Sequence, residues 1–205
     1  MALSLATVGG KITAAFLNLI VGRVNRTGLV SIIPTSVVTG AGVTLGAAGV
    51  ITMTAASTVS VNGCFTAEFD NYLLVTRVTA KSLFDIQARL RVSGTDQAGT
   101  SDYRNQFLYA TGSTSPPVAA SNAAFAVLGQ GALAESHNET TILSPYLTAP
   151  TFFSVRSSDN NGTASYTFMG DTRHGLSVSA DGLTLYLSGT GTITGTLRIY
   201  GYNNN

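Results

Sequence analysis

The sequence predicts an all-β protein, a jelly-roll-like β-sandwich preceded by one N-terminal α-helix and an extended connector. Three observations lead to this prediction. Only 10% of the 205 residues are charged, against about 25% in an average globular domain, and Thr, Ser, Gly and Asn take their place. These residues favour strands and turns over long surface helices. Short runs of alternating apolar and polar residues recur after residue 56, and a single stretch before them has helical periodicity.

The helical stretch covers residues 11–25 and is apolar over an unusually wide face. On a helical wheel its apolar residues span about 200°, whereas a surface helix needs a stripe of only about 100°. Such a helix either packs against its own domain or bundles with copies of itself in an assembly. We favour the assembly because a sandwich already covers its own sheet faces. Residues 1–27 are therefore assigned to anchoring or oligomerisation through Ile12, Phe16, Leu17, Leu19, Ile20 and Val24.

Residues 28–56 are predicted to form the connector, and residues 57–205 the β-sandwich domain. Pro34 cannot donate a backbone hydrogen bond to a central ladder, so its segment is expected to be extended or to form an edge strand. The apolar run in the N-terminal helix is shorter than the ~20 residues of a membrane span, so no membrane insertion is expected.

The clearest strand pattern lies at residues 85–93, where Ile86, Ala88, Leu90 and Val92 are predicted to face the core and the alternate residues to face water. Similar runs occur at residues 72–79, 106–111, 123–128, 141–147, 152–156, 165–169, 183–187 and 192–202. Strands this short and numerous are typical of a sandwich or barrel. An aperiodic loop predicted at residues 111–121 favours the long crossings of a jelly roll over a meander.

Residues that could carry chemistry are few. His137 and His174 are predicted to be surface loop residues, and there is no G-x-S-x-G nucleophile motif or phosphate-binding loop. Cys64 is the single cysteine and is predicted to be a buried thiol. The eleven basic residues are scattered along the chain, which gives +1 net charge and no nucleic-acid signature. We expect no enzyme activity, no catalytic residue, no metal site and no cofactor.

Several segments in chain order resemble one family. They are residues 9–13, 30–37, 64–65, 69–72, 89–94 and 195–201. In combination they resemble virion structural proteins of tailed bacteriophages, particularly short minor tail proteins of phages infecting actinobacteria. The resemblance implies that Phe69, Asp70, Asn71, Tyr72, Tyr200 and Gly201 form a scaffold motif, and it carries over no catalytic residue.

The resemblance also implies a non-enzymatic structural protein on the exterior of the phage particle, made in the host cytoplasm. It would be a minor tail protein whose exposed sandwich is anchored or oligomerised through the N-terminal helix, with contact to the host surface as a further role. Its expected partners are itself, as a homotrimer, other virion proteins of tail or capsid, and a host cell-surface glycan, but no nucleic acid.

Three other functions remain open at the sequence level. The same architecture serves capsid decoration proteins, which bind the major capsid protein. A carbohydrate-binding module is a second alternative; the chain has no Trp, but tyrosines could stack against sugars, the candidates being Tyr103, Tyr109, Tyr146, Tyr166 and Tyr202. A polysaccharide hydrolase would need a pair of acidic residues that the sequence does not single out.

Overall fold

The computed structural model describes residues 28–39, 41–82, 84–111, 117–129, 135–160 and 165–203. The predicted N-terminal helix, with its proposed contact residues from Ile12 to Val24, lies outside the described residues. Within the described part the chain is all-β, with about 68% strand in two antiparallel sheets. That part contains no helix long and apolar enough to cross a membrane.

The described residues form sixteen strands. They are β1 (Leu29–Ser31), β2 (Ser36–Thr39), β3 (Val43–Leu45), β4 (Ile51–Ala56), β5 (Thr58–Asn62), β6 (Asn71–Lys81), β7 (Ile86–Val92), β8 (Thr95–Asp96), β9 (Tyr103–Thr111), β10 (Pro117–Ala123), β11 (Ala126–Gly129), β12 (Glu135–Leu143), β13 (Ala149–Asn160), β14 (Ser165–Val178), β15 (Gly182–Leu187) and β16 (Ile193–Tyr202). The large sheet has the order β10-β9-β14-β13-β12-β6-β16-β4-β3, with β1 also paired to β16. The small sheet has the order β11-β7-β15-β5-β2, with β8 paired to β7.

Four strand pairs are nested along the chain. β5 pairs with β15, β6 with β12, β7 with β11, and β9 with β10, each pair antiparallel. From β5 to β15 the chain crosses from one sheet to the other six times: after β5, β6, β8, β10, β11 and β14. The meander β12-β13-β14 occupies the place between β6 and β9, and it widens the large sheet.

A single apolar core lies between the two sheets. The large sheet contributes side chains such as Tyr72, Phe153 and Phe168, and the small sheet contributes side chains such as Leu90 and Leu185, all almost completely buried. Each large apolar side chain removed from water in this way contributes about 1.5–3 kcal/mol. The two sheets are therefore held together mainly by hydrophobic packing, as the alternating sequence pattern predicts.

The last strand, β16, confirms the predicted alternation. Ile193, Leu197 and Ile199 are buried with the glycines of the strand. A Cβ on Gly195 would lie 2.1 Å from the carbonyl oxygen of Arg77, and a Cβ on Gly201 would meet the ring of Phe69 at 2.4 Å. Both positions are thus restricted to glycine by a close neighbour, one by backbone and the other by a bulky side chain.

The prediction that one face of residues 85–93 is in contact with water holds only in part: Ser93 is exposed, but Gln87 and Arg91 in β7 are buried. Gln87 lies between Tyr186 and Val127 of the neighbouring strands, and polar side chains of the small sheet cover Arg91. The guanidinium of Arg91 donates hydrogen bonds to Asn62 Oδ1 at 2.9 Å and Thr184 Oγ1 at 2.7 Å, and it also bonds Asp96. A buried arginine is compatible with the strand because its donors are satisfied.

Two further segments differ in detail from the sequence expectations. The loop predicted at residues 111–121 contains part of β10, which opens with Pro117. Proline is tolerated there because it is the first residue of an edge strand. The segment assigned to the connector contributes β1 to β4, which pair with strands of both sheets; β2, which follows Pro34, lies at the edge of the small sheet.

Candidate functional site

A shallow concave surface, here called the outer groove, crosses the outer face of the large sheet. It consists of two adjoining hollows. The first, about 440 Å³, is lined by the outward side chains Val75, His137, Glu139, Arg156, Ser158 and Thr167. The second, about 490 Å³, is lined by the outward side chains Gln106, Leu108, Ser154, Met169 and Asp171.

Strand alternation places these side chains on one face. In β12, and in β13 from Thr151 onward, every second residue is buried, and in β14 the buried residues are Phe168, Thr172 and His174, so the residues between them point away from the core. The strand register then aligns them across the sheet: Glu139 lies opposite both Val75 and Arg156. The same row continues through Met169 to Leu108. With ~4.8 Å between neighbouring strands, the five-strand row is about 19 Å long.

Five arginines lie on this outer face, although they are far apart in the sequence. They are Arg77, Arg104, Arg156, Arg173 and Arg198, and all but the half-buried Arg173 are exposed. None of the five forms an ion pair with another described residue, although Glu139 is the cross-strand neighbour of Arg156. Among the described residues the face has more positive than negative side chains.

The strand register defines how these arginines are spaced. Arg104 and Arg173 are direct cross-strand partners, whose Cα atoms are typically about 5 Å apart. Arg198 lies opposite Val75, which places it diagonal to Arg77 in the next strand, at about 7–8 Å. Arg156 lies between these two pairs, in the middle strand of the groove. The outer face thus has three positive points, a pair at each end and a single arginine between them.

An exposed aromatic ring lies beside one of the arginine pairs. Phe152 in β13 is 45% exposed and is the cross-strand partner of both Leu143 and Arg173. Leu143 is also partly exposed. The face therefore offers an apolar surface, neutral hydroxyl and amide groups, and cationic groups, an arrangement suited to binding a polar ligand rather than to excluding water.

The first four residues of the scaffold motif form a turn and the start of β6. The Asp70 carbonyl oxygen and the Asn71 side-chain oxygen both accept hydrogen bonds from the backbone N–H of Ser144, at 2.9 and 3.3 Å. Phe69 and Tyr72 are buried with their rings edge to face, 6.0 Å apart. This part of the motif is structural.

The other two motif residues lie in β16. Gly201 is buried beneath Phe69, and Tyr200 is half-buried on the outer face, opposite Leu73. Two of the six motif residues thus share a face with the outer groove: Asn71, the cross-strand partner of Leu143, and Tyr200, two residues along β16 from Arg198.

The two histidines occupy strands, not the surface loops that the sequence predicts. His137 is exposed in β12 and lines the outer groove. His174 in β14 is fully buried, with its ring 4.7 Å from that of Tyr103. Desolvation by burial lowers the pKa of His174, and the charge of Asp102 opposes that shift. The two histidines lie on opposite faces of the large sheet, so they cannot act on one substrate.

The one thiol is buried, and the possible metal ligands of the described residues are not clustered. Cys64 is buried, as predicted, and desolvation by burial raises the pKa of its thiol well above the ordinary range. Among the described residues, no three His, Cys, Asp or Glu side chains are placed so that they could hold a metal ion.

The tyrosines proposed for sugar stacking are distributed unevenly. Tyr103 is completely buried and is not available to a sugar. Tyr109 and Tyr166 are half-buried and stack on each other, with ring centroids 5.9 Å apart and planes 9° apart. Tyr146 and Tyr202 are half-buried at separate positions. The outer groove itself is lined by none of the five.

Sequence reasoning missed the outer groove. Its residues are outward-facing members of five strands, most of which meet through long-range pairing, and no local motif marks them. The outward position of each arginine within its alternating strand, combined with a correct strand order, would have located the outer face and the groove on it. Comparison with protein-family models and with curated proteins finds no match to this chain.

Proposed function

We propose that this chain is a non-enzymatic structural component of a tailed-phage virion, a minor tail protein whose exposed module is a jelly-roll sandwich. The observation that supports the jelly roll is the nested pairing of β5 with β15, β6 with β12, β7 with β11 and β9 with β10. Nested pairs that cross between two sheets are the pattern of a double Greek key, an architecture common in viral capsid proteins and lectins. In this proposal β12 to β14 replace a single strand of that pattern.

Fold alone does not define function, so the virion role depends on the sequence resemblance as well. The resemblance includes residues 69–72 and 195–201, which pack against each other where Phe69 covers Gly201. The surface also suits an assembly protein. Leu143 and Phe152 form an exposed apolar pair on the wide outer face, where another virion protein could bind.

In the proposal the N-terminal segment joins three copies through Ile12, Phe16, Leu19 and Ile20, and the three sandwiches point outward. Multi-angle light scattering tests this on the full chain and on a variant that begins at residue 28. We expect the mass to fall from that of a trimer to that of a monomer. A variant that begins at residue 10 keeps the predicted helix and is the matched control. An unchanged mass after removal of residues 1–27 refutes the role given to the segment.

The location on the particle is tested separately. Electron microscopy of intact particles, with a label at the C-terminal Asn205, should place the label on the tail. A label over the head, with a copy number near that of the capsid protein on a quantitative gel, would instead support the capsid decoration alternative. A label on neither part contradicts a virion role.

A carbohydrate-binding module is the second candidate function. The outer groove favours it, because a concave sheet face with exposed hydroxyl, amide and guanidinium groups is a common type of ligand site. This role is compatible with a tail position, since a tail protein could bind a host glycan.

A further inference from the structure

We propose that the outer groove, together with the arginines beside it on the outer face, binds an acidic polysaccharide, one whose negative groups are separated by neutral sugars. The inference deepens the proposed contact with a host surface glycan by naming the chemistry of that glycan. It depends on the outer face of the sandwich and not on the N-terminal segment.

The charges on the outer face are the first argument. Arg104 and Arg173 are placed side by side as direct cross-strand partners. Like charges in this position repel each other. Neither arginine forms an ion pair with another described residue. An anionic group between the two guanidinium groups would relieve the repulsion, and the planar fork of arginine is suited to a carboxylate.

The spacing of the positive points is the second argument. It favours a sparsely charged polysaccharide over nucleic acid. Arg156 and Arg198 lie in one row, separated by three strand intervals, which corresponds to about 14 Å. Nucleic acid carries one phosphate per ~3.4 Å of each strand, so several phosphates would lie between these two arginines. Some of them would meet the carboxylate of Glu139, which lies between the arginines in the same row. A polymer with sparse negative charge avoids this repulsion.

The neutral part of the face is the third argument. Between the arginines the groove presents Ser154, Ser158 and Gln106, which can donate and accept hydrogen bonds. The carboxylate of Asp171 lies between Ser154 and Gln106, so a neutral sugar rather than an acidic group suits that position. Phe152 is 45% exposed beside Arg173, so the apolar side of a sugar ring can pack on it while an acidic substituent reaches the guanidinium. These features match sugars that lie between acidic groups.

Isothermal titration calorimetry of the full chain tests the proposal. The probe is hyaluronan oligosaccharide, in which carboxylate-bearing and neutral sugars alternate; neutral dextran and oligo-dT serve as the comparison polymers. We expect binding to hyaluronan that weakens as salt is raised, and no binding to dextran. Arg156→Gln should weaken hyaluronan binding about tenfold, because a charge-assisted hydrogen bond is lost.

Arg89→Gln is the matched control. It removes the same charge from the small sheet, where the guanidinium lies 4.7 Å from the centre of the Tyr186 ring, and it should leave hyaluronan affinity unchanged. Thermal melting verifies that both variants are folded. The proposal is overturned if hyaluronan does not bind, if Arg156→Gln binds as tightly as the parent, or if oligo-dT binds more tightly than hyaluronan. None of these results bears on particle location or on the trimer, which have their own tests.

Discussion

The burial of His174 predicts a specific dependence of stability on pH. His174 is completely buried, and neither ring nitrogen has a hydrogen-bond partner among the residues that the structure describes. Desolvation by burial lowers its pKa in the folded state. The unfolded chain, in which histidine has a pKa of about 6.5, then binds a proton more readily than the folded chain does. Below that pH the free energy of unfolding must fall, whereas well above it this histidine has no effect on stability.

The size of the effect follows from proton linkage. When the unfolded chain binds one proton more than the folded chain, the free energy of unfolding changes by about 1.4 kcal/mol per pH unit. This slope applies between the unfolded pKa and the lowered folded pKa. For a chain of this length, 205 residues, each kcal/mol corresponds to about 2–4 °C in melting temperature. The full slope is reached only well below the unfolded pKa, so the loss between pH 6.5 and pH 5.5 from this single residue is at most about 1 kcal/mol, or about 2–4 °C.

Differential scanning fluorimetry between pH 7.5 and 5.5 measures the effect. His174→Phe keeps an aromatic ring against Tyr103 and removes the titrating group, so its melting temperature should vary less with pH than that of the parent. His137→Gln removes the exposed histidine of the outer groove and should keep the pH dependence of the parent. If His174→Phe and the parent show the same dependence, the reasoning from burial is refuted.

Three other substitutions test the packing of the two sheets by urea denaturation. Arg91→Met should cost about 3–5 kcal/mol, because the partly buried carboxylate of Asp96 loses its cation; a cost below 1 kcal/mol would contradict this. Gly195→Ala should destabilise the protein by several kcal/mol, because its Cβ would lie 2.1 Å from the Arg77 carbonyl oxygen; a neutral result would show that β16 can shift. Tyr72→Phe should cost about 1–3 kcal/mol, because the buried hydroxyl both donates to and accepts from the preceding turn; no loss would mean that these bonds contribute nothing.

Much of the fold can be predicted from the sequence because strand alternation is a local property. The pattern of Ile193, Leu197 and Ile199 against their polar neighbours defines which face of β16 is buried, and the structure agrees. The same reasoning fails for β7, where Gln87 and Arg91 are polar in sequence but buried in the sheet. Polarity predicts exposure only when no neighbouring strand supplies hydrogen-bond partners and cover.

The candidate site was less accessible to sequence reasoning. The alternating pattern of its own strand shows that Arg156 or Arg77 points outward. That pattern does not show which strands lie beside it in the sheet. The neighbours are defined by pairings such as β6 with β16, which join segments more than 100 residues apart and depend on the packing of the whole sandwich.

The sequence alone therefore determined the secondary structure class, the buried face of most strands and the scarcity of catalytic groups, because these depend on composition and short periodicity. Tertiary structure decided the rest. It buried His174 and Arg91, and it brought five scattered arginines to one face of the large sheet. The physical reason is that sheet order and register arise from long-range pairing, and they decide which side chains become neighbours.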